Sequence, residues 1–395
     1  MKKKLLFVLQ YLHTGGAEKS LITLLESLDY RKYEVDLLLF DHSGALFTMI
    51  PPQVNVLPPL FPYYSMPLRE AFPRMITEGR VSLAAGKLLG SFAGKLSKGK
   101  GVGARWEVYR RFLPKLKSRY DAAISYLDFF CNYYVAEKVH ADKKIMYNHM
   151  DYAYSQTQGW PCPRLERKSF VTSDYIVTVA DSARRSLESF FPEHSDKIRV
   201  IHNRVSNATV QRLSEEPVYN DGFQGTRVAT VARLCDEKGV MLALEACSLI
   251  VSEGYPIRWY MIGTGGLQGE LEERLKRLGL ERHFILMGEK QNPYPYVKGA
   301  DIYVQPSKTE AHCIAVEEAI ALQRPIVVTD IPSFKQQITD GETGIVVPAH
   351  AQGLAEGITK LVRSKELRDK LTVQLSYEQN RYQDELNKFY ELIEC

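Results

Sequence analysis

Short apolar runs alternate along the chain with segments whose apolar residues recur at helical spacing. The first forty residues contain the run KKKLLFVLQYL, a polar turn with two glycines, an amphipathic segment over residues 21–28, and the run YEVDLLLF. Short, continuously apolar runs indicate buried strands, whereas a spacing of i, i+3, i+4 and i+7 indicates a helix. These residues therefore predict a β-α-β unit, which implies a parallel sheet.

The alternation continues along the chain and is interrupted near residue 206. The segment SNATVQRLSEEPVYNDGFQG is polar, contains Gly and Pro, and lacks an apolar period. Four further runs precede it and six follow it: YDAAISYL, KKIMYNHM, YIVTVA and KIRVIHN, then TRVATVARL, RWYMIGTG, HFILMGE, DIYVQPS, PIVVTD and GIVVP. The pattern predicts two consecutive doubly wound α/β domains, residues 1–205 and 206–376, with a ligand cleft between them.

The composition is that of an ordinary globular protein. The 395 residues are 45% hydrophobic and 25% charged, which fits two domains of usual size and excludes broad disorder. The uncharged stretch at residues 5–12 is too short to span a bilayer and lacks a cleavage site, so we expect a cytoplasmic protein. The cysteines show no zinc-ligand spacing and no Asp-x-Asp occurs, so we expect neither a metal nor a cofactor.

Positive charge is concentrated in residues 69–119. This segment holds 13 Lys or Arg and three Glu, a net charge of +10 in a chain whose total is +4. Apolar residues are interleaved with the cations, and basic amphipathic stretches of this kind often lie on anionic lipid. A solvated helical face over the core explains the pattern equally well, so peripheral membrane contact is one of two interpretations. We expect no nucleic-acid partner, because no binding motif accompanies the charge.

Glycines and cations stand at the predicted ends of two strands, where open α/β sheets bind ligands. Gly15 and Gly16 lie between the first strand and the first helix, where backbone N–H groups can approach an anionic ligand, although a glycine pair is more often a tight turn. Arg233 and Lys238 follow the strand TRVATVA and can hold a diphosphate. The alternative is a surface loop that is neutralised by its own two acids.

The segment SKTEAHCIAVEEA carries the most specific local pattern. Glu310 lies in a loop after the strand DIYVQP, and Glu318 lies eight residues later in the next helix, so both can face one cleft. Carboxylates accept hydrogen bonds from vicinal hydroxyls, which suits a sugar and a ribose. His149, just after the strand KKIMY, is the best polar candidate of the first domain, although a single His is more often structural. The run MIGTGG does not complete G-x-G-x-x-G, which argues against an oxidoreductase.

Taken together, these motifs resemble retaining nucleotide-sugar glycosyltransferases of glycosyltransferase family four. The resemblance is carried by GGAEKS, VARLCDEKG, MIGTGG, MGEKQNPYPYVKGADIYVQPS, DGETGIVV and the two glutamates; it is dense over residues 227–347, moderate over 1–42 and 145–205, and absent over 43–120. It implies the GT-B fold, two Rossmann-like domains facing across a cleft, with a C-terminal helix over residues 377–395 packing back on the first. It also implies a role in the synthesis of bacterial surface polysaccharide.

The resemblance implies a role for each candidate residue. Arg233 and Lys238 would bind the donor diphosphate. Glu310 would hold the hydroxyls of the donor sugar, Glu318 would hold the nucleotide ribose, and His149 would contact the transferred sugar. The other implied donor contacts come from the first glycine loop, the loop over residues 288–294 beside the base, and the residues after the first glutamate: Gly15, Gly16, Gly288, Ala311, His312, Cys313 and Ile314.

The chain departs from the family pattern in two places. The family usually has Gly-Phe-Gly after the first glutamate, where this chain has Ala311, His312 and Cys313. Gln323 stands where the family usually has glycine. We therefore expect the loop around the donor sugar to differ in shape from the loop that is usual in the family.

The expected activity is metal-independent, retaining transfer of a sugar from a UDP-sugar to a hydroxyl of a glycan or lipid-linked saccharide. Arg233 and Lys238 would stabilise the leaving diphosphate, with Glu310 and His149 completing the catalytic set. Three alternatives stay open on the same fold: an epimerase, a phosphorylase, and a non-catalytic sugar-nucleotide-binding subunit of a polysaccharide assembly complex.

Overall fold

The computed structural model divides into two compact units, Met1–Asn203 with Glu385–Cys395, and Arg204–Asp384. It describes residues 2–13, 15–97, 101–203, 205–216 and 218–394, without the side chains of residues 208 and 379–383. No helix in these described ranges is both long enough and apolar enough to cross a bilayer.

The first unit is a parallel sheet with helices around it. Its described strands are β1 (Lys3–Leu9), β2 (Tyr33–Leu39), β3 (Asn55–Val56), β4 (Arg119–Ser125), β5 (His140–Asn148), β6 (Tyr175–Thr178) and β7 (Ile198–Val200). Their order is β3-β2-β1-β4-β5-β6-β7, all parallel. Phe7 of β1 pairs with Leu37 on one side and Ile124 on the other, so the strand order reverses at β1 and β4. Ligands of open α/β sheets bind at such a switch point.

Helices connect these strands. They are α1 (Gly16–Ser27), α2 (Leu68–Thr77), α3 (Val81–Leu96), α4 (Gly101–Phe112), α5 (Phe130–Lys138), α6 (Tyr152–Thr157), α7 (Pro163–Thr172) and α8 (Asp181–Phe190). The strands are apolar on both faces because helices cover both sides of a parallel sheet, and five consecutive residues of β1 are buried.

The second unit repeats this architecture. Its described strands are β8 (Thr226–Val231), β9 (Ile257–Ile262), β10 (Phe284–Leu286), β11 (Ile302–Gln305), β12 (Ile326–Thr329) and β13 (Ile345–Val347). Its described helices are α9 (Asn207–Leu213), α10 (Val240–Ser252), α11 (Gln268–Leu278), α12 (Tyr294–Lys298), α13 (Ile314–Ala321), α14 (Phe334–Gln337), α15 (Ala351–Arg363) and α16 (Lys365–Ser376). The parallel order β10-β9-β8-β11-β12-β13 places the switch point between β8 and β11. The predicted fold class, two doubly wound α/β units, is confirmed.

Each sheet face of the second unit has its own core. Val327 packs in one apolar cluster with Trp259 and Leu354, whereas its neighbour Val328 packs in the other with Tyr303. Successive strand side chains point to opposite faces, so this division follows from the alternation along β12. Two apolar layers hold the strand ends of the site in place.

The basic segment over residues 69–119 contains α2, α3 and α4. A Cβ at Gly90 would lie 2.2 Å from a ring atom of Tyr109, so glycine lets α3 and α4 pack closely. Trp106 of α4 is fully buried in the core, whereas Leu89, Phe92 and Leu96 of α3 are 51%, 58% and 79% exposed. The predicted apolar residues therefore divide between the core and an uncovered face of α3. Two of the predicted cations, Lys98 and Lys100, lie outside the described residues.

The C-terminal helix α17 (Arg381–Glu394) packs within the first unit from Glu385 onward. A 3-10 turn over Tyr377–Asn380 precedes it, so the helix begins four residues later than position 377. Phe389 stacks on Phe7 at 6.0 Å between ring centroids, and Tyr390 stacks on Tyr33 at 5.7 Å. The side chain of Tyr382, which the sequence places on the same face, lies outside the described residues.

Candidate active site

The turn after β8 is fixed by a glycine. Lys238 ends a 3-10 turn that is followed by Gly239, whose φ is +64°. A Cβ at position 239 would lie 1.8 Å from the carbonyl oxygen of Pro306, so only glycine lets this turn pack against the end of β11. This contact brings Lys238 beside the loop that carries Glu310, at the switch point of the sheet.

Lys238 and Glu310 form a largely buried ion pair. Lys238 Nζ lies 2.6 Å from Glu310 Oε1, and the two side chains are 19% and 9% exposed. Burial lowers the pKa of Lys238, but the Glu310 carboxylate more than offsets this, so the pKa of Lys238 lies above its ordinary value. Lys238 therefore stays charged at neutral pH. The other carboxylate oxygen, Oε2, takes no hydrogen bond from the described residues.

A chain of buried hydrogen bonds orients Glu310. Tyr303 OH donates to Gln305 Oε1 at 2.6 Å, and Gln305 Nε2 donates to Ser307 Oγ at 3.0 Å. Ser307 Oγ then donates to Glu310 Oε1 at 2.8 Å, and Thr329 donates to the Ser307 carbonyl. This chain of hydrogen bonds was not predicted, although the polar residues inside the apolar run DIYVQPS were a usable signal. The carboxylate is thus held by the core of the sheet.

Glu318 lies in α13 and is 2% exposed. Tyr294, the first residue of α12, donates its hydroxyl to Glu318 Oε1 at 2.9 Å. The loop predicted to contact the base is therefore joined to the glutamate predicted to hold the ribose. Gly288 begins this loop with φ +66°, and its carbonyl accepts the N–H of Gly263 at 2.9 Å. The hydrogen bond ties the loop to the end of β9.

Arg233 differs from Lys238 in its surroundings. Its side chain is 75% exposed, and its guanidinium lies 3.5 Å from Glu237 Oε1 within the same turn. The sequence put Arg233 and Lys238 together as diphosphate ligands, but the structure brings Lys238 to Glu310 and Arg233 to Glu237. Nothing in the spacing of these residues indicates which way the arginine points.

The side chains that replace the family's Gly-Phe-Gly turn inward. His312 Nε2 lies 3.2 Å from Glu317 Oε1, with the two side chains 2% and 7% exposed. Gln337 of α14 donates from Nε2 to Glu317 Oε1 at 2.8 Å. It also donates to the Cys313 carbonyl and accepts the Cys313 backbone N–H, both at 3.0 Å. Burial raises the pKa of the Cys313 thiol, which stays neutral.

This inward network limits what the loop can offer a donor. The side chains of His312 and Cys313 are buried within the second unit. Only backbone groups at these two positions are therefore left to make the predicted contacts with the donor. Ala311 is half-buried, and Ile314 is 5% exposed at the start of α13. Gln323 has φ +55°, a left-handed conformation that favours glycine and explains the family's usual residue there.

The glycine pair of the first unit begins α1 at the end of β1. Gly15 is the N-cap and Gly16 the first helical residue. A Cβ at Gly15 would lie 2.2 Å from Glu18 Oε2, so glycine makes room for the glutamate in the first helical turn. The exposed Gly16 leaves the helix N-terminus open at the switch point.

His149 follows β5 and packs against the rings of Tyr126 and Tyr147, with centroids 5.3 and 5.6 Å away. Its Nδ1 lies 3.1 Å from Asn203 Nδ2, and Asp128 accepts its backbone N–H at 3.0 Å. Its Nε2 is buried and has no hydrogen-bond partner among the described residues. Burial lowers the pKa of His149 to about 4, so the imidazole is neutral at pH 7. No motif in the sequence indicates that Asn203 is its partner.

In the part of the chain that the structure describes, no group of three or more His, Cys, Asp or Glu is arranged to hold an ion. The expectation of metal-independent chemistry stays a prediction.

The second unit matches a known family. Residues 224–374 match the family model described as Glycosyl transferases group 1. CapM, the capsular polysaccharide biosynthesis glycosyltransferase of Staphylococcus aureus, is 23% identical over 217 residues, which cover 52% of this chain and 56% of CapM. The chain spans about half the length of the curated relatives that it matches.

Solved structures match over nearly the whole chain. Anabaena HepE in complex with UDP has a TM-score of 0.68 at 16% identity, covering 100% of both chains. WaaG, a glycosyltransferase involved in lipopolysaccharide biosynthesis, has a TM-score of 0.65 at 13% identity, covering 98% of this chain and 99% of WaaG. The chain has the GT-B fold. In this GT-B chain, Lys238, Glu310 and Glu318 lie inside the matched family region, whereas His149 and the glycine pair lie in the first unit.

Proposed function

We propose that this protein is a retaining glycosyltransferase that moves a sugar from a UDP-sugar to a hydroxyl of a glycan or lipid-linked saccharide in surface polysaccharide synthesis. The ion pair of Lys238 and Glu310 at the switch point carries the proposal. Lys238 has three N–H donors and uses one for Glu310, while Glu310 Oε2 is open to a sugar hydroxyl. One pair thus offers a cation to a diphosphate and an acceptor to a sugar.

The remaining donor groups follow from their positions. Glu318, held by Tyr294, accepts hydroxyls of the ribose, and the loop from Gly288 lies beside the base. The UDP bound by HepE supports uracil as the base. Arg233 is exposed and bonded only weakly to Glu237, so it can turn toward the diphosphate without breaking a buried contact.

The proposed reaction exchanges one bond at the anomeric carbon. The bond from that carbon to the diphosphate oxygen breaks, and the acceptor hydroxyl attacks from the same face, which retains configuration. The acceptor proton passes to an oxygen of the leaving diphosphate, so UDP and the new glycoside are the products. Lys238 and Arg233 stabilise the negative charge that develops on the leaving group, and no metal is required.

A screen of donors tests the proposal. The purified protein is incubated with UDP-, GDP-, ADP- and CMP-sugars, without metal and with a chelator present, and release of the nucleotide is measured. We expect slow hydrolysis of one or more UDP-sugars. An isomerised sugar nucleotide without any acceptor would instead identify an epimerase, and sugar 1-phosphate formed from a glycan and inorganic phosphate would identify a phosphorylase. Binding without turnover would favour the non-catalytic subunit.

We also propose that the protein is cytoplasmic and that the uncovered face of α3 holds it on the inner, anionic face of the membrane. Leu89, Phe92 and Leu96 are spaced for one helical face and are more than half exposed. The exposed Lys95 lies among them, within a segment of net charge +10. Lys87 does not contribute, because it is buried and its Nζ donates to the carbonyls of Tyr63 and Tyr64 at 2.8 Å.

Vesicle sedimentation tests the membrane proposal. Vesicles that contain phosphatidylglycerol should bind the wild-type chain, and Phe92→Ser with Leu96→Ser should weaken binding. Val171→Ser in α7 is the matched control, because Val171 is 66% exposed in the same unit but lies outside the basic segment. Equal binding of all three proteins would leave only the solvated-face interpretation.

A further inference from the structure

A buried network of uncharged side chains leads to His149 in the first unit. Tyr126 follows β4, Ser20 lies in α1, and Asn203 follows β7, and these residues are 3%, 5% and 5% exposed. Tyr126 OH lies 3.0 Å from Ser20 Oγ, which donates to Asn203 Oδ1 at 2.9 Å. Three separate connections of the sheet thus converge on one asparagine.

The direction of these hydrogen bonds determines which ring nitrogen of His149 carries the proton. Because Asn203 Oδ1 accepts from Ser20, its Nδ2 faces His149 Nδ1 at 3.1 Å. An amide N–H donates and cannot accept, so Nδ1 is the acceptor and carries no proton. In a neutral imidazole the proton then lies on Nε2.

Among the described residues, no acceptor stands in hydrogen-bond geometry to the Nε2 proton, although the backbone carbonyl of Tyr126 interacts with the ring and partly offsets the effect of burial on its pKa. This nitrogen is buried and has no hydrogen-bond partner among the described residues. A buried donor without an acceptor destabilises the folded state, so native structures rarely keep one without a role. An oxygen of a bound ligand would supply the missing acceptor, and His149 stands beside the switch point where such ligands bind.

We propose that Asn203 is a positioning residue that holds His149 as the Nε2–H tautomer, which donates to an oxygen of the bound sugar. This inference rests on the proposed function and on the role that the family resemblance implies for His149, contact with the transferred sugar. Asn203 does not contact the reacting atoms itself. It acts through His149, whose Nε2–H it orients toward the ligand.

Both ends of the hydrogen bond between Asn203 and His149 are anchored through the backbone. Asp128 Oδ2 accepts the N–H of His149 at 3.0 Å. On the other side, Glu385 of α17 accepts the N–H of His202, directly before Asn203, at 2.8 Å. Such anchoring keeps the two side chains in register, as a positioning role requires.

The ring nitrogens of His149 can be observed directly. The full chain is labelled with ¹⁵N-histidine, and His149→Gln identifies the signals of this residue among the nine histidines. At pH 7 we expect an unprotonated Nδ1 and a protonated Nε2. A proton on Nδ1, or on both nitrogens, would overturn the proposal, and the wild-type chain alone decides this.

The near-isosteric variant Asn203→Asp tests whether Asn203 sets the tautomer. A carboxylate can only accept, so His149 Nδ1 should gain a proton in this variant. A purely structural role for Asn203 would not move that proton, and an Nδ1 that stays unprotonated would refute the assignment.

Two substitutions of His149 test which nitrogen faces the ligand. The amide of Gln reaches the position of Nε2, whereas the amide of Asn reaches that of Nδ1. We expect His149→Gln to keep roughly tenfold more turnover than His149→Asn, the equivalent of one hydrogen bond. Equal turnover or the reverse order would contradict the Nε2 assignment. Absence of turnover in the wild type would defeat the proposed function, while the nitrogen signals would still decide the role of Asn203.

Discussion

The two units present their candidate ligand groups in opposite ways. In the second unit a full positive and a full negative charge meet at 2.6 Å, and the core of the sheet orients the carboxylate. In the first unit the corresponding group is a neutral histidine, held by an asparagine and a serine that carry no charge. Charge suits a diphosphate whose own charge grows during the reaction, whereas a neutral donor suits a sugar hydroxyl that has none.

The largest effect should come from removing the charge of Lys238. Lys238→Ala should lower turnover about a hundredfold, because the leaving group loses a cation. It should also cost about 3 kcal/mol of unfolding free energy, because Glu310 is left largely buried without its partner. Steady-state kinetics and urea unfolding measure the two losses.

Lys308→Ala is the matched control for that loss. Lys308 Nζ also lies 2.6 Å from a carboxylate, that of Asp236, but the side chains are 43% and 77% exposed. Turnover and stability should stay close to wild type, since exposed ion pairs contribute little. Equal losses of turnover and stability in the two variants would mean that the buried ion pair of Lys238 contributes no more than the exposed ion pair of Lys308.

The neutral histidine should appear in the pH dependence of stability. The folded pKa of His149 is lowered to about 4, whereas an unfolded histidine has a pKa of about 6.5. The unfolded chain therefore takes up the proton first, and stability falls as pH drops from 6.5 toward 4. The loss from this group should reach about 2 kcal/mol at pH 5.

Urea unfolding of wild type and His149→Gln at pH 8 and pH 5 measures that loss. The variant lacks the titrating ring and should lose less stability on acidification. Burial raises the pKa of the nearby Asp128 to about 6, which acts in the opposite direction, but this contribution is common to both proteins and cancels in the difference. Identical acid losses would mean that His149 is not held neutral.

The smallest effect concerns the ribose. Glu318→Ala should weaken UDP binding by roughly tenfold, because a charged acceptor of hydroxyl groups is lost. Tyr294→Phe, which removes only the hydroxyl that orients Glu318, should weaken it less. The affinities of both variants for UDP, measured by calorimetry, check this order. An unchanged affinity in Glu318→Ala would show that Glu318 does not bind the ribose.

The sequence predicts features that depend on neighbouring residues better than contacts between residues that lie far apart in the chain. The apolar runs correctly predicted the two doubly wound units. The sequence also placed Lys238 and Glu310 each after a strand, but it did not predict that these two residues pair with each other. The partners of His149 were missed because Ser20, Tyr126 and Asn203 lie far apart in the chain and meet only through the strand order. No pattern of neighbouring residues carries that information.

The basic segment shows a second limit of prediction. Trp106, Phe92 and Leu96 all lie at helical spacing among cations, yet Trp106 is buried and the other two are exposed. The glycine contact between α3 and α4 decides which helical face is inside, and that contact appears only when both helices are in place. Similarly, the inward-turned His312 pairs with Glu317, and that glutamate is bonded in turn by Gln337, which lies 25 residues beyond His312 in the chain.

Titration of UDP by calorimetry tests most directly whether Lys238 and Glu310 form part of a nucleoside diphosphate site. We predict that one UDP binds each wild-type chain in the presence of a chelator, and that Lys238→Ala binds it far more weakly while Lys308→Ala binds it normally. Absence of UDP binding to the wild type, or equal affinity in Lys238→Ala, would contradict the claim.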